Sequence, residues 1–395
     1  MLYSELCGER VSRLGFGAMR LPVLPDGTID EPQTYRMVDL AMQNGVNYFD
    51  TAFPYHGGLS EVVIGKALSR YPRQSYLLAT KYPGHQFASN YDPKGVFEEQ
   101  LQKCGVDYFD FYLLHNVCES SLPIYTDPKW GIIDYFVAQK KAGRIKHLGF
   151  SSHARPETLE TFLDQYDKQL DFCQIQLNWL DWSLQEGKRK YELLMQRNVP
   201  IIVMEPLRGG KLLQLTENEL ELLRAARPDE TAAGWGFRFL TGLDNVRVVL
   251  SGMSASEQMA QNIETFSVSK PLSRAETDLL FAIAEGKKNA VPCTACRYCT
   301  AGCPMELDIP MLIAAYNDCK FASSFTVPMQ MDALEESKRP SACIGCGACA
   351  AICPQHIDIP SVMDAFADLL TKRPKWAEVC RERELAERRR KGELV

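Results

Sequence analysis

The stretch VNYFDTAFPYHGG, residues 46–58, decides the fold. Its first part, VNYFDTA, is a short β-prone run that carries Asp50. The rest turns through Pro54, Gly57 and Gly58 and presents Tyr55. A run that is largely apolar rather than alternating is the pattern of a strand buried on both faces of a parallel sheet. Seven more runs follow the same pattern: RLGFGA (13–18), SYLLATK (75–81), YFDFYLLH (108–115), HLGFSS (147–152), FCQIQLN (172–178), VPIIVME (199–205) and VRVVLSG (246–252). Amphipathic stretches separate them, such as EPQTYRMVDLAMQNG (31–45), which ends on Gly45 as a helix C-cap. Eight β/α units over roughly 250 residues fit an α/β fold of the (β/α)8 TIM-barrel type. The competing arrangement is an open doubly wound sheet. That sheet would prefer a G-x-G-x-x-G loop after its first strand, and GFGAMR does not supply one.

Composition narrows the class. The 395 residues are 46% hydrophobic and 24% charged, enough for a large core and a smaller second domain. A net charge of −6 argues against a nucleic-acid partner, which would call for a basic excess. The opening residues MLYSELCGER lack the pattern of a secretory signal, and no run of 18 apolar residues predicts a membrane span. A cytoplasmic protein with no membrane partner is the expectation.

After residue 252 the alternation stops. Residues 267–291 read as a helical connector, SRAETDLLFAIAEGKKN, so the chain divides into a barrel (1–266), a connector (267–291) and a C-terminal domain (292–395). That domain is an internal repeat. Cys293, Cys296, Cys299 and Cys303 recur 50 residues later as Cys343, Cys346, Cys349 and Cys353. Register continues from CPMELDIPMLIAAYND into CPQHIDIPSVMDAFAD, where each D-I-P opens a helix with its proline near the first position. The charged tail RERELAERRRKGELV reads as a solvated helix end.

C-x2-C-x2-C-x3-C-P is the spacing of bacterial two-cluster ferredoxins, in which the fourth cysteine ligates the other cluster. Applied here, one [4Fe–4S] cluster takes Cys293, Cys296, Cys299 and Cys353. The second takes Cys343, Cys346, Cys349 and Cys303. Zinc would want two well-separated C-x2-C pairs, and disulfides give no reason for the repeat. The region resembles the ferredoxin-type cluster-binding family over about 100 residues, in its mostly helical variety. The other six of the 14 cysteines, Cys7, Cys104, Cys118, Cys173, Cys319 and Cys380, fit no ligand spacing and read as small buried hydrophobes.

In a (β/α)8 barrel the chemistry sits at the C-terminal ends of the strands. Asp50, Lys81 and His115 lie at such ends and Tyr55 just beyond one. Singly, each has a structural explanation: a cap, a loop aromatic, a strand-end lysine, a rim histidine. Together they form an acid–base set. A lysine cation favours phenolate in a neighbouring tyrosine, an aspartate orients the lysine, and a histidine positions a carbonyl oxygen.

These motifs, D-T-A-x-x-Y, T-K and L-L-H in order, resemble the aldo-keto reductase family over residues 1 to about 266. The resemblance implies a catalytic tetrad of Asp50, Tyr55, Lys81 and His115, with Tyr55 as general acid in reduction. It also implies a nicotinamide site at Ser151, Ser152 and Gln174, and a phosphate segment, SGMSASEQMAQN, using Gly252, Met253, Ser254, Gln258 and Asn262. Three positions depart from the family. Ser152 replaces a frequent asparagine, Met204 a stacking tyrosine, and Gln258 an arginine that favours NADPH, so NADPH and NADH both stay open. FMN has no evident fingerprint.

The expected function is reduction of a small carbonyl compound, or oxidation of an alcohol, with NAD(P)H. Two alternatives accompany it: electron exchange of the clusters with a ferredoxin or a flavin, and a non-enzymatic iron–sulfur sensor on a barrel scaffold. Trp179, Trp182, Tyr82 and Phe53 are candidate pocket aromatics, with rim packing as their other reading.

Overall fold

The computed structural model describes the chain except residues 87, 89, 288–290, 292, 294, 296, 298, 322–325, 354, 356 and 391–395, and the side chains of 321, 387 and 390. Two compact units result. One comprises Met1–Thr277 with Arg383–Val395, the other Asp278–Glu382.

The first unit contains the eight strands: β1 (Leu14–Gly17), β2 (Tyr48–Asp50), β3 (Leu77–Tyr82), β4 (Phe109–Leu114), β5 (Ile145–Ser152), β6 (Phe172–Gln176), β7 (Ile201–Met204) and β8 (Val246–Gly252). Each pairs in parallel with its sequence neighbour, and β8 closes on β1. Nearly every strand residue is buried because the inner faces fill the barrel while the outer faces meet the helices. Inward-facing Tyr48, Ala79, Phe111, Leu113, Phe172, Ile202 and Val248 form one packed cluster.

That cluster continues into Leu6 and Val11, which belong to an element the sequence reading did not foresee. Tyr3–Leu6 and Glu9–Ser12 form an antiparallel hairpin whose two side chains pack into the barrel core. Its turn residues Cys7 and Gly8 have φ of 55° and 86°, as a type I′ turn requires. Cys7 therefore departs from the expectation of a buried hydrophobe. It is a half-buried turn residue whose thiol donates to the Asp171 carbonyl, and burial pushes its pKa up to about 12. The remaining non-ligand cysteines, Cys104, Cys118, Cys173, Cys319 and Cys380, are buried as expected.

The candidate aromatics also resolve into packing. Tyr82 stacks on Phe136, Phe53 lies under Lys103, and Trp182 packs on Tyr191 and Phe239. Trp179 is buried with its indole nitrogen toward Gly236, a residue of the helix Ala232–Thr241.

A polar network behind β3 fixes its end. Gln100 donates to the Lys81 carbonyl at 3.0 Å and to Glu61 at 2.7 Å, and accepts from the Tyr112 hydroxyl at 2.5 Å. Thr80 donates to the same Glu61 oxygen at 2.6 Å. All of these side chains are fully buried, so an unmade bond here costs the full desolvation of its partner. Gln100→Leu keeps the volume and orphans the tyrosine hydroxyl and the glutamate together. It should lower unfolding stability by about 2–4 kcal/mol in a denaturant titration.

In the second unit the repeat is visible as packing. Helices Ile309–Phe321 and Ile359–Thr371 begin after Asp308 and Asp358, whose carboxylates accept from the backbone of Met311 and Ser361. Pro310 and Pro360 occupy the first turn, where a missing N–H costs nothing. Tyr316 and Phe366, equivalent positions of the repeat, meet with ring centroids 5.6 Å apart. Such contact between equivalents is what a local two-fold axis produces.

Candidate active site and candidate cluster sites

The C-terminal ends of β2, β3 and β4 bring the tetrad residues together. Asp50 is the last residue of β2, and Lys81 lies one residue from the end of β3. His115 directly follows β4, and Tyr55 is carried over the rim by the loop after β2. Lys81 is 1% exposed, so its ammonium needs partners for all three protons. It has them: Asp50 Oδ1 at 2.5 Å, the Thr51 carbonyl at 2.8 Å and the Tyr55 hydroxyl at 3.4 Å. The His115 ring stands edge-on to the Tyr55 ring, with centroids 5.8 Å apart and planes at 82°.

Electrostatics follow from this geometry. Burial opposes the Lys81 charge, but Asp50 and Tyr55 outweigh it and raise its pKa, so the cation persists. Burial raises the Tyr55 phenol, against the pull of Lys81. Burial, reinforced by His85 and Lys81, holds His115 well below the ordinary histidine value. The arrangement therefore offers a protonated phenol and a neutral imidazole at neutral pH.

Two more histidines line this mouth, and sequence reasoning missed both. His85, four residues after Lys81, stacks on His115 with centroids 4.3 Å apart. His153, in LGFSSH, shares a hydrogen bond with Gln176 at 3.0 Å. Burial first, then neighbouring positive charge, lowers their pKa values to about 3 and about 4. The unfolded chain would bind protons at both near the ordinary pKa of about 6.5. Their stability contribution is thus present above that pH and is lost as pH falls toward 4. The barrel's thermal midpoint should fall over that window, and His153→Gln should flatten the decline.

In the second unit, Cys343, Cys346 and Cys349 of one motif and Cys303 of the other line one cavity of about 340 Å³. Leu307, Ile309, Ile359 and Met363 complete its walls. The loops carry a repeated backbone signature. Ala295 and Arg297 have φ of 55° and 65°, and their equivalents Gly345 and Gly347 have 69° and 77°. Left-handed residues between cysteines turn backbone amides toward one concavity, the form that receives anionic groups such as iron–sulfur clusters. Cys293, Cys299 and Cys353 pack on the same core. Cys296 lies outside the described residues. Among those described, no three ligating side chains are grouped to hold a single ion, which does not favour the zinc alternative.

A family model described as "Aldo/keto reductase family" matches residues 13–285, more than half of the chain. The chain belongs to the aldo-keto reductase family. A second model, "4Fe-4S dicluster domain", matches residues 292–357. Together they make the protein an oxidoreductase with a reductase barrel and a C-terminal iron–sulfur domain.

Among relatives, an NADH-specific methylglyoxal reductase of Escherichia coli is 24% identical, over 70% of this chain and 95% of its own. L-galactose dehydrogenase of Arabidopsis thaliana is 27% identical, over 71% and 93%. The chain spans 58% of a probable aldo-keto reductase of soybean, Glycine max, at 26% identity. An aldo-keto reductase of Bacillus halodurans, solved in its holo form, superposes with a TM-score of 0.59 at 28% identity. The match covers 72% of this chain and 96% of that one. No described helix is long and apolar enough to cross a membrane.

The remaining candidate residues of the reductase barrel sit around the same mouth. Ser151 and Gln174 are register neighbours on β5 and β6. Gln174 is 1% exposed, and its Oε1 has no donor among the described residues. A carboxamide NH2 would satisfy it, so the site fits a nicotinamide on this observation. Ser152 is turned elsewhere: its hydroxyl donates to the Val117 carbonyl and accepts from the Ala154 amide. Met204 ends β7, half-buried. Met253 is buried, and Asn262 is tied to Ser251 at 3.0 Å. Gln258 accepts from the Ser254 amide at 2.9 Å.

Proposed function

We propose that the barrel reduces the carbonyl group of a small molecule, or oxidises the corresponding alcohol, with NAD(P)H, and that the C-terminal unit carries two [4Fe–4S] clusters. The observation that carries the reading is the Lys81 ammonium joined to both Asp50 and the Tyr55 hydroxyl. NAD(P)H, when bound, supplies a hydride to the carbonyl carbon. Tyr55 holds the proton that the carbonyl oxygen receives. Lys81 stabilises the phenolate left behind, and Asp50 keeps Lys81 charged and aimed. Neutral His115 offers the oxygen a hydrogen bond without a competing acidic proton. Ser151 and Gln174 would hold the carboxamide.

Each cluster, when bound, exchanges one electron at a time. Cys343, Cys346, Cys349 and Cys303 would hold one cluster, and Cys293, Cys296, Cys299 and Cys353 the other. Cys346 and the adjacent Ile344 are exposed, so the first of these sites lies near the surface. That exposure supports a second reading, in which the clusters serve an external electron carrier such as a ferredoxin. Anaerobic turnover of a carbonyl panel with NADH and NADPH tests the main reading, and absence of any dinucleotide oxidation would overturn it.

The pH profile is a further expectation. Tyr55 is raised and His115 lowered, so neither titrates near neutrality. The kcat for reduction should be flat between about pH 6 and pH 9 and fall only at higher pH, as the phenol loses its proton. A half-maximal rate near pH 7 would show that one of these groups titrates there.

A further inference from the structure

Arg20 occupies a place that no role above requires. It ends the short turn Ala18–Arg20 that follows β1. Its backbone is held on both sides. The Ser254 hydroxyl donates to the Arg20 carbonyl at 3.0 Å, and the Leu21 amide donates to His56 Nε2 at 3.1 Å. Ser60 fixes the start of the same turn through the Ala18 carbonyl at 3.0 Å.

The side chain is channelled as well. It crosses Gly252 at the end of β8, where an added Cβ would meet Arg20 Cδ, Cβ and Cγ at 3.1, 3.2 and 3.3 Å. Its guanidinium reaches Gly209 in the loop after β7, where a Cβ would come within 2.5 Å of Nη2. Gly209 has φ of 63° and Gly210 of 89°, so that loop needs glycine for its backbone as well as for space. Two glycines from different strand ends thus leave a track that this arginine fills.

What the guanidinium lacks is an anion. Arg20 is exposed, and no described carboxylate pairs with it. A surface arginine with no partner usually keeps its rotamer freedom, whereas this one is confined between two loops. Confinement without an internal partner is the condition of a side chain pre-set for a ligand. Gln258 contributes no charge here, and its carbonyl already engages the Ser254 amide.

We infer that Arg20 is the cation that binds the diphosphate of the dinucleotide, lying between the Gly209–Gly210 loop and Gly252. The inference rests on the NAD(P)H reading above and adds a charged residue from β1 to it. A guanidinium presents two parallel donors to phosphate oxygens. The contact is common to NADH and NADPH, so it compensates for Gln258 without selecting between them.

Calorimetric titration of anaerobic holoprotein with NADH, NADPH and ADP-ribose tests this without turnover. Arg20→Met, which keeps the stem, should weaken all three ligands by a similar factor, about tenfold to a hundredfold. Arg20→Lys should recover part of the loss, and added salt should weaken wild type more than Arg20→Met. Affinities in Arg20→Met equal to wild type would overturn the assignment. So would a loss confined to NADPH, which would place Arg20 at the 2′-phosphate. Wild type that binds none of the three would overturn the cofactor reading itself, an outcome distinguishable from the other two.

Discussion

Tyr55→Phe is expected to lower kcat for carbonyl reduction by about a hundredfold to ten-thousandfold, the range of a lost general acid. The ring would still stand edge-on to His115, so substrate space is kept. Lys81 would lose its partner at 3.4 Å but retain Asp50 and the Thr51 carbonyl, so the buried charge stays compensated. Dinucleotide affinity should therefore hold, and the loss should fall on kcat. Steady-state rates with a matched binding titration check this. Turnover equal to wild type would remove Tyr55 from the chemistry. Lys81→Met would be harder to interpret, because it leaves Asp50 buried without its cation.

Cys303→Ser should abolish the cluster of the other motif rather than that of its own. Cys303 shares a cavity with Cys343, Cys346 and Cys349, contributed from 40 or more residues along the chain. Iron and acid-labile sulfide should fall by about half. The decisive comparison is between double variants. Cys303→Ser with Cys346→Ser should lose no more iron than either alone, since both strip one cluster. Cys303→Ser with Cys293→Ser should lose nearly all. The reverse pattern would mean that each motif builds its own cluster.

Most of the barrel was legible because strands buried on both faces announce themselves as apolar runs, and all eight formed where the runs lie. The N-terminal hairpin was not. Its strands are four residues long, and only the turn pair Cys7–Gly8 marks it. Asp50, Tyr55, Lys81 and His115 were legible as a set because each follows a strand run at a fixed offset. His85, His153 and Arg20 were not, because loops and turns place them and only the closed barrel brings those loops to one mouth. Phe53, Tyr82 and Trp182 misled for the opposite reason. They lie near strand ends in sequence yet face the helix layer, a distinction set by side-chain direction. In the second unit the repeat gave the pairing of helices, but not the shared left-handed backbone at 295/345 and 297/347. Only one copy shows glycine there, and the other has Ala295 and Arg297.

The central claim is that hydride chemistry at Tyr55 runs in the barrel without passing through the clusters. The most direct measurement is the fate of the label when holoprotein turns over a carbonyl substrate with NADH or NADPH deuterated at the transferable C4 position. Mass spectrometry of the alcohol reads where the deuterium goes. The account predicts one deuterium on the former carbonyl carbon. An alcohol that carries solvent hydrogen at that carbon would contradict it, since electrons would then have travelled singly and the hydrogen come from water.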